Sequence, residues 1–141
     1  IIKKCFEELI LHKVDLSGII LKPNMILSGT QSKEKISSGE VSNKTLECLK
    51  NSVPTDVPGI AFLSGGQSES EATENLNLIN RNNNTNFIMT YSYGRALQQS
   101  ALKVWSKNIK DIEGTQKTFN HRAKMCTLAA QGKWVSKLES E

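Results

Sequence analysis

The chain has 141 residues, of which 38% are hydrophobic and 23% are charged, and its formal net charge is +4. This length suits one compact domain with a core of its own. No apolar run approaches the roughly 18 residues that cross a bilayer, so we expect no membrane insertion. The lysines are scattered and lack interleaved aromatic residues, which favours a small anionic substrate over nucleic acid as the partner.

The three cysteines, Cys5, Cys48 and Cys126, are far apart and show no metal-ligand spacing. Each falls on the apolar stripe of a predicted helix, so we expect all three to be buried packing residues. Widely spaced cysteines in odd number, without a visible secretory leader, indicate a reduced intracellular protein. The expected location is the cytoplasm.

Apolar residues at helical spacing predict a first helix that runs from the start of the chain to about Lys13. No capping residue precedes this helix, which we interpret as a start inside a larger protein. A short strand follows over residues 19–21, apolar on both faces as in a covered parallel sheet, and Pro23 ends it. After a polar loop, a second helix is expected over residues 40–52.

The second strand is predicted over residues 59–63 and is again continuously apolar. It leads into the flexible turn Ser64-Gly65-Gly66. Ser68 and Glu71 have capping-box spacing and predict the start of a third helix. The βα unit therefore repeats.

A third strand is predicted over residues 87–91, and Tyr93-Gly94-Arg95 then turns into a helix that buries Trp105. The last helix, over residues 112–131, is expected to bury Phe119 and to end before Gly132. Beyond Trp134 we expect a frayed terminus.

The predicted order is helix, strand, helix, strand, helix, strand, helix, helix, which indicates parallel strands joined by crossovers. Three strands are few for a doubly wound sheet, and a complete (β/α)8 barrel takes about 250 residues. The fold class expected is therefore α/β, as the C-terminal portion of a (β/α)8 barrel with about three βα units and a terminal helix. Residues 1–141 would be one part of a single barrel domain.

Chemistry in parallel α/β folds is placed at the carboxyl ends of the strands, and Lys22 closes the first strand. Burial disfavours a charged ammonium group, so a lysine in this place becomes nucleophilic and can form an imine with a ketone. The alternative is a lysine that snorkels to water.

Two turns that follow the neighbouring strands favour the interpretation of Lys22 as a nucleophile. Ser64, Gly65 and Gly66 precede a helix, so their backbone N–H groups can approach an anion closely. Arg95 adds a guanidinium group after the next strand, where Ser92 and Gly94 form a similar turn. Two adjacent anion sites indicate a phosphorylated substrate.

Three long motifs resemble class I fructose-bisphosphate aldolases. Residues 21–25 are similar to the family's imine-lysine motif, residues 58–66 to its seventh-strand phosphate motif, and residues 92–98 to its eighth-strand motif. The similarity extends over nearly the whole chain, to about Val135.

The resemblance implies that Lys22 forms an imine with fructose 1,6-bisphosphate and cleaves it to dihydroxyacetone phosphate and glyceraldehyde 3-phosphate, in glycolysis and gluconeogenesis. Ser64, Gly65, Gly66, Ser92, Gly94 and Arg95 would bind a substrate phosphate. No cofactor or metal is expected, because His12 and His121 lie on separate helices without ligand spacing. The family also implies a homotetramer.

The family's catalytic carboxylates, its second lysine and its terminal tyrosine have no counterpart here, so the chain alone is expected to be inactive. Asp15, Asp56, Glu40, Glu69 and Glu71 fall on turns or helix starts and are expected to be capping or solvated carboxylates. Two other functions stay open. One is an imine-forming aldolase for another phosphorylated sugar, and the other is a scaffold for cytoskeletal or adhesin partners, through exposed lysines such as Lys33, Lys35, Lys44 and Lys103.

Overall fold

Short apolar strands alternate with amphipathic helices along the chain, and the computed structural model describes residues 1–140. Within these residues, no helix is long and apolar enough to cross a membrane. The helices are α1 (Ile2–Leu11), α2 (Ser38–Ser52), α3 (Glu69–Asn82), α4 (Arg95–Lys107) and α5 (Ile112–Ala130), and the strands are β1 (Ile20–Leu21), β2 (Gly59–Phe62) and β3 (Ile88–Tyr91). Two 3₁₀ turns cover Leu16–Gly18 and Ser136–Ser140.

The three strands form one parallel sheet in the order β1-β2-β3. Ile20 pairs with Gly59, which pairs in turn with Ile88, so equivalent residues of the three strands lie side by side. The predicted strands, and the helices between them, are confirmed within a few residues at their ends.

The core lies on one face of this sheet. Side chains of β2 and β3 on that face, such as Ile60 and Met89, pack against the apolar stripes of the helices, and the predicted stripe of α3, from Ala72 to Ile79, is fully buried. The predicted stripe of α2 is buried as well. Helical periodicity therefore identified the core side of α2 and α3 correctly.

The opposite face of the sheet is bare, which contradicts the expectation that the strands are covered on both faces. Ile20 and Ile88 are 68% and 75% exposed. Their side chains and Thr90 border a shallow, almost wholly apolar depression in the sheet. Continuous apolarity indicates that both faces are built for burial, but the helices of this chain cover one face only.

Four further residues are less buried than expected. Cys5 is exposed and Cys48 is half-buried, whereas Cys126 is fully buried as predicted. Phe119 and Trp105 are 37% and 49% exposed, because they line an open groove between α4 and α5. The inner side of α5 is instead formed by Arg122, Met125, Cys126 and Ala129.

The C-terminal segment is packed, not frayed as expected. Gly132, with φ +68°, ends α5 as predicted, and the N–H of Gly132 and Lys133 bond to the carbonyls of Ala129 and Leu128. Trp134 is buried, and its indole Nε1 donates to Glu139 Oε1 at 2.9 Å. Arg122 Nη2 donates to the same oxygen at 2.6 Å, so the final turn is held on α5.

The bare sheet face predicts self-association of the 141-residue chain when it is expressed alone, because exposed apolar surface and open strand edges favour pairing between copies. Ile88→Lys should reduce the associated fraction in sedimentation velocity, since it places a charge at an exposed apolar position of that face. Leu102→Lys on the exposed side of α4 is the control. An equal effect of both changes would contradict a role for the sheet face.

Candidate active site

The ends of the three strands lie next to one another at one edge of the sheet. Beyond the regular ladder, the N–H of Leu63 donates to the carbonyl of Pro23 at 3.0 Å. On the other side of β2, the N–H of Ser92 donates to the carbonyl of Phe62 at 2.8 Å. The segments that follow β1, β2 and β3 are therefore held together by backbone hydrogen bonds.

Lys22 follows β1 on the bare face of the sheet. The register pairs Leu21 with Ile60, so the next step along the strands places Lys22 beside Ala61, whose partner is Thr90. Residues two apart in a strand point to the same side, which puts Lys22 on the side of Ile20 and Ser92 on the side of Thr90. This is the face that the helices of the chain leave uncovered.

Lys22 is exposed, which contradicts the expectation of a buried ammonium group. The physical reason is the same as for Ile20, because none of the described helices lies over this face. Any desolvation of the Lys22 amine must come from residues or substrate outside this chain.

The turn Ser64-Gly65-Gly66 has a backbone that only glycine adopts readily. Gly65 and Gly66 have φ of +56° and +86°. A Cβ atom on Gly65 would also lie 2.8 Å from Cγ of Asn24, two residues beyond Lys22. The turn therefore presents bare backbone to a ligand and rests directly against the segment that follows β1.

A complete capping box starts α3 beside this turn. Ser68 Oγ accepts from the N–H of Glu71, and Glu71 Oε2 accepts from the N–H of Ser68 at 2.9 Å. The hydrogen bond from the Ser68 N–H is the main cause of the lowered pKa of Glu71. The hydrogen bond with the Ser68 hydroxyl lowers this pKa further. The predicted capping role of Glu71 is confirmed, and so is that of Glu40 in α2.

The second turn, after β3, is anchored on α3 by Tyr93. The Tyr93 hydroxyl donates to the carbonyl of Ala72 at 2.9 Å, and burial raises the pKa of this phenol well above its ordinary value. Gly94 is the N-cap of α4 and has no side chain with which to cap it. Arg95 is the first residue of α4 and is exposed.

One further contact ties the two turns together. Ser100 of α4 donates its backbone N–H to Glu69 Oε1 at 2.8 Å, and its hydroxyl bonds to the other oxygen of the same carboxylate. Glu69 lies in the first turn of α3. The N-terminal halves of α3 and α4, each beginning beside one of the turns, are therefore joined by a charged hydrogen bond.

Sequence reasoning did not identify Asn24, Gln67 or Asn75 as residues of this site. Gln67 Nε2 donates to the carbonyl of Ser64 at 2.8 Å, and Asn75 Nδ2 donates to Gln67 Oε1 at 2.7 Å. The only local signal was Asn75, a polar residue on the apolar stripe of α3. A buried amide of this kind usually has a hydrogen-bond partner. The partner could be found only from the fold.

The two histidines lie far from one another in the chain, His12 at the C-cap of α1 and His121 within α5. Within residues 1–140, no group of three or more histidine, cysteine, aspartate or glutamate side chains is arranged to hold a metal ion. Lys22, Asn24, the two glycine turns and Arg95 are polar groups at this edge of the sheet.

Parallel βα units with glycine turns at one sheet edge place the chain in the α/β class, which includes the (β/α)8 barrels. A sequence model of the family "Fructose-bisphosphate aldolase class-I" matches residues 1–141. The chain belongs to the class-I fructose-bisphosphate aldolase family, and the predicted resemblance is confirmed.

Individual relatives agree with this assignment. A non-muscle-type fructose-bisphosphate aldolase of Lethenteron camtschaticum is 48% identical over 125 residues, which are 88% of this chain and 34% of the relative. A cytosolic fructose-bisphosphate aldolase 4 of Arabidopsis thaliana is 43% identical over 133 residues, 94% of this chain and 34% of the relative. The chain spans between a third and two fifths of the length of the curated relatives it matches.

A solved structure confirms the fold class. The fructose-bisphosphate aldolase of Plasmodium falciparum, in complex with TRAP and a small-molecule inhibitor, matches with a TM-score of 0.91 and 38% identity. The match covers 96% of this chain and 39% of that one. The three βα units and terminal helices therefore correspond to a portion of an aldolase barrel, as expected.

The capping box makes a pH-dependent prediction. Because Glu71 has a lowered pKa in the folded state, its ionised form stabilises the fold above its ordinary pKa of 4.5, and this stabilisation is lost as the pH falls through the lowered value. Glu71→Gln should reduce the free energy of unfolding by about 0.5–1 kcal/mol near neutral pH, and the difference should shrink towards pH ~3. Urea unfolding measures it.

The matched control is Glu74→Gln, a change of the same kind at an exposed position of α3. A stability difference between wild type and Glu71→Gln that is the same at neutral and acid pH would contradict the role of the Glu71 charge.

Proposed function

We propose that the polypeptide containing this chain is a fructose 1,6-bisphosphate aldolase of glycolysis and gluconeogenesis that works through an imine on Lys22. The observation that carries the proposal is the common edge shared by Lys22, the Ser64–Gly66 turn and the Ser92–Arg95 turn, which the Leu63–Pro23 and Ser92–Phe62 hydrogen bonds hold together. Family membership supplies the substrate class.

The amine of Lys22 would attack the ketone carbonyl of the sugar, and loss of water would give a protonated imine. The imine withdraws electrons from the neighbouring carbon–carbon bond. When a base removes the proton from the hydroxyl beyond that bond, the bond breaks and glyceraldehyde 3-phosphate leaves. The enamine that remains takes up a proton and is hydrolysed to dihydroxyacetone phosphate and free Lys22, so no metal or cofactor is needed.

The phosphate would bind in the two turns. Gly65 and Gly66 expose backbone N–H groups beside the N-terminus of α3, where the helix dipole favours an anion. Ser64 and Ser92 would add hydroxyl groups, Gly94 allows close approach, and Arg95 at the start of α4 would supply the counter-charge. Because both turns are fixed to α3, the phosphate site would be preorganised before substrate arrives.

The proton carriers would come from other parts of the same barrel domain. The family's carboxylates and second lysine have no counterpart in this chain, and its own acidic residues Glu40 and Glu71 are occupied in helix caps. We therefore propose that residues 1–141 form the C-terminal portion of one barrel domain, inactive alone, and that the complete protein is a cytoplasmic homotetramer. An exposed Lys22 agrees with a face that other strands complete.

One alternative follows from a comparison with a relative. The Plasmodium falciparum relative was solved in complex with TRAP, so a scaffold role towards adhesin or cytoskeletal partners is a second candidate. Lys33, Lys35, Lys44 and Lys103 are exposed and available for it. Partner binding that survives Lys22→Met would favour this role.

The other alternative is an imine-forming aldolase for another phosphorylated sugar. Competition between fructose 1,6-bisphosphate and other phosphorylated ketoses separates it from the main proposal.

Lys22→Met should lower kcat for fructose 1,6-bisphosphate by at least about a thousandfold in the native polypeptide that contains this chain, because methionine has similar length but no amine to form the imine. A coupled assay for the triose phosphate products measures the rate. Lys124→Met, at an exposed position of α5, is the matched control and should keep wild-type kcat. Comparable activity of the two variants would refute the role of Lys22.

A further inference from the structure

Gln67 sits directly after the two glycines of the phosphate turn, and its side-chain amide joins three segments of the chain. Its Nε2 donates to the carbonyl of Ser64 at 2.8 Å and lies 3.7 Å from the sulfur of Met25. Its Oε1 accepts from Nδ2 of Asn75 on α3 at 2.7 Å. The loop after Lys22, the phosphate turn and α3 therefore meet at one side chain.

The direction of this chain of hydrogen bonds is fixed by chemistry. The carbonyl of Ser64 can only accept, so the amide nitrogen of Gln67 must face it. Gln67 then offers its oxygen to Asn75, which must present its own amide nitrogen. Reversing either amide would place two acceptors or two donors against each other, so only one arrangement of the two amides allows both hydrogen bonds.

The partners of Gln67 are buried, and Gln67 itself is half-buried. Asn75 is 5% exposed, and Met25 and Ser64 are 2% and 8% exposed. Hydrogen bonds between partly buried polar groups hold their geometry more firmly than those in water, because less solvent competes for the donors. The amide of Gln67 therefore restrains the Ser64 carbonyl, and with it the N–H of Gly65, which lies in the same peptide plane.

The side-chain oxygen of Asn75 indicates that this residue does more than pack in the core. Oδ1 of Asn75 is buried and has no hydrogen-bond partner among the described residues. An apolar residue of similar size would avoid this unsatisfied acceptor, so the presence of asparagine needs an explanation beyond packing. Donation to Gln67 supplies one.

We propose that Gln67 and Asn75 are positioning residues that set the affinity of the Ser64–Gly66 turn for the substrate phosphate. The proposal rests on the proposed function of that turn. Neither side chain is required to touch the substrate. Gln67 holds the turn through Ser64, and Asn75 holds Gln67 in the orientation that makes this possible.

The test uses Gln67→Met and Asn75→Leu in the native polypeptide that contains this chain. Both substitutions keep the approximate size of the side chain and remove the amide without adding charge. Each should raise KM for fructose 1,6-bisphosphate by roughly tenfold and leave kcat within about twofold, because ground-state and transition-state phosphate binding weaken together. Asn80→Leu is the control, since Asn80 is on the same helix but donates to its own helix, at Leu76.

We call the action of Asn75 on the Ser64–Gly66 turn through Gln67 the relay. A double variant tests whether the two residues act in this order. If Asn75 acts through Gln67, then Gln67→Met with Asn75→Leu should raise KM no further than Gln67→Met alone. A general loosening of the fold would instead add the two effects and lower kcat as well. Thermal unfolding of each variant identifies any that fails to fold, and the remaining single variant then decides the proposal through its split between KM and kcat.

Arg95→Ala separates failure of the relay from failure of the proposed function. A raised KM in Arg95→Ala together with an unchanged KM in Asn75→Leu and Gln67→Met would overturn the relay alone. An unchanged KM in all three variants would show that neither turn binds the substrate phosphate, which would overturn the proposed function as well.

Discussion

The parallel, in-register pairing of β1, β2 and β3 is the constraint on which the rest of the site depends. Parallel strands end at the same edge, so every residue that follows a strand is brought to the same place whatever its distance in sequence. The hydrogen bonds from Leu63 to Pro23 and from Ser92 to Phe62 extend this alignment past the ladder. A shift of one residue in β1 would turn Lys22 to the helix-covered face, and the same shift in β3 would turn Ser92.

Helix α3 fixes what the sheet brings together. Its buried stripe anchors it in the core. In its N-terminal half, Ala72 accepts from Tyr93 of the second turn, and Asn75 donates to Gln67, which follows the first turn. Glu69 accepts from Ser100 of α4. These contacts use a carboxylate, a backbone carbonyl and an amide, so they are directional where the apolar core is not. The core thus gives stability, while three polar contacts determine the relative placement of two candidate phosphate turns. Burial raises the pKa of Tyr93, so its hydroxyl keeps the proton that it donates to Ala72.

Local sequence patterns predicted the helices and strands, but they could not predict contacts between residues that are far apart in sequence. Periodicity found the strands and the buried stripes of α2 and α3, and the spacing of Ser68 and Glu71 gave a capping box that the structure confirms. The exposure of Lys22 and Ile88 could not be predicted, because apolar composition shows that a face is suited to burial but not which residues cover it. The packed terminus was missed for a similar reason, since Arg122 and Glu139 are 17 residues apart. The relay through Gln67 joins residues 25, 64 and 75, and no local spacing encodes it.

The central claim is that the amine of Lys22 forms a covalent imine at an edge that also holds phosphate. Borohydride reduction in the presence of dihydroxyacetone phosphate converts such an imine into a stable secondary amine, and peptide mass mapping then locates it. Applied to the native polypeptide that contains this chain, the measurement should find the adduct on Lys22, with less of it when inorganic phosphate competes. An adduct on another lysine, with Lys22 unmodified, would contradict the account.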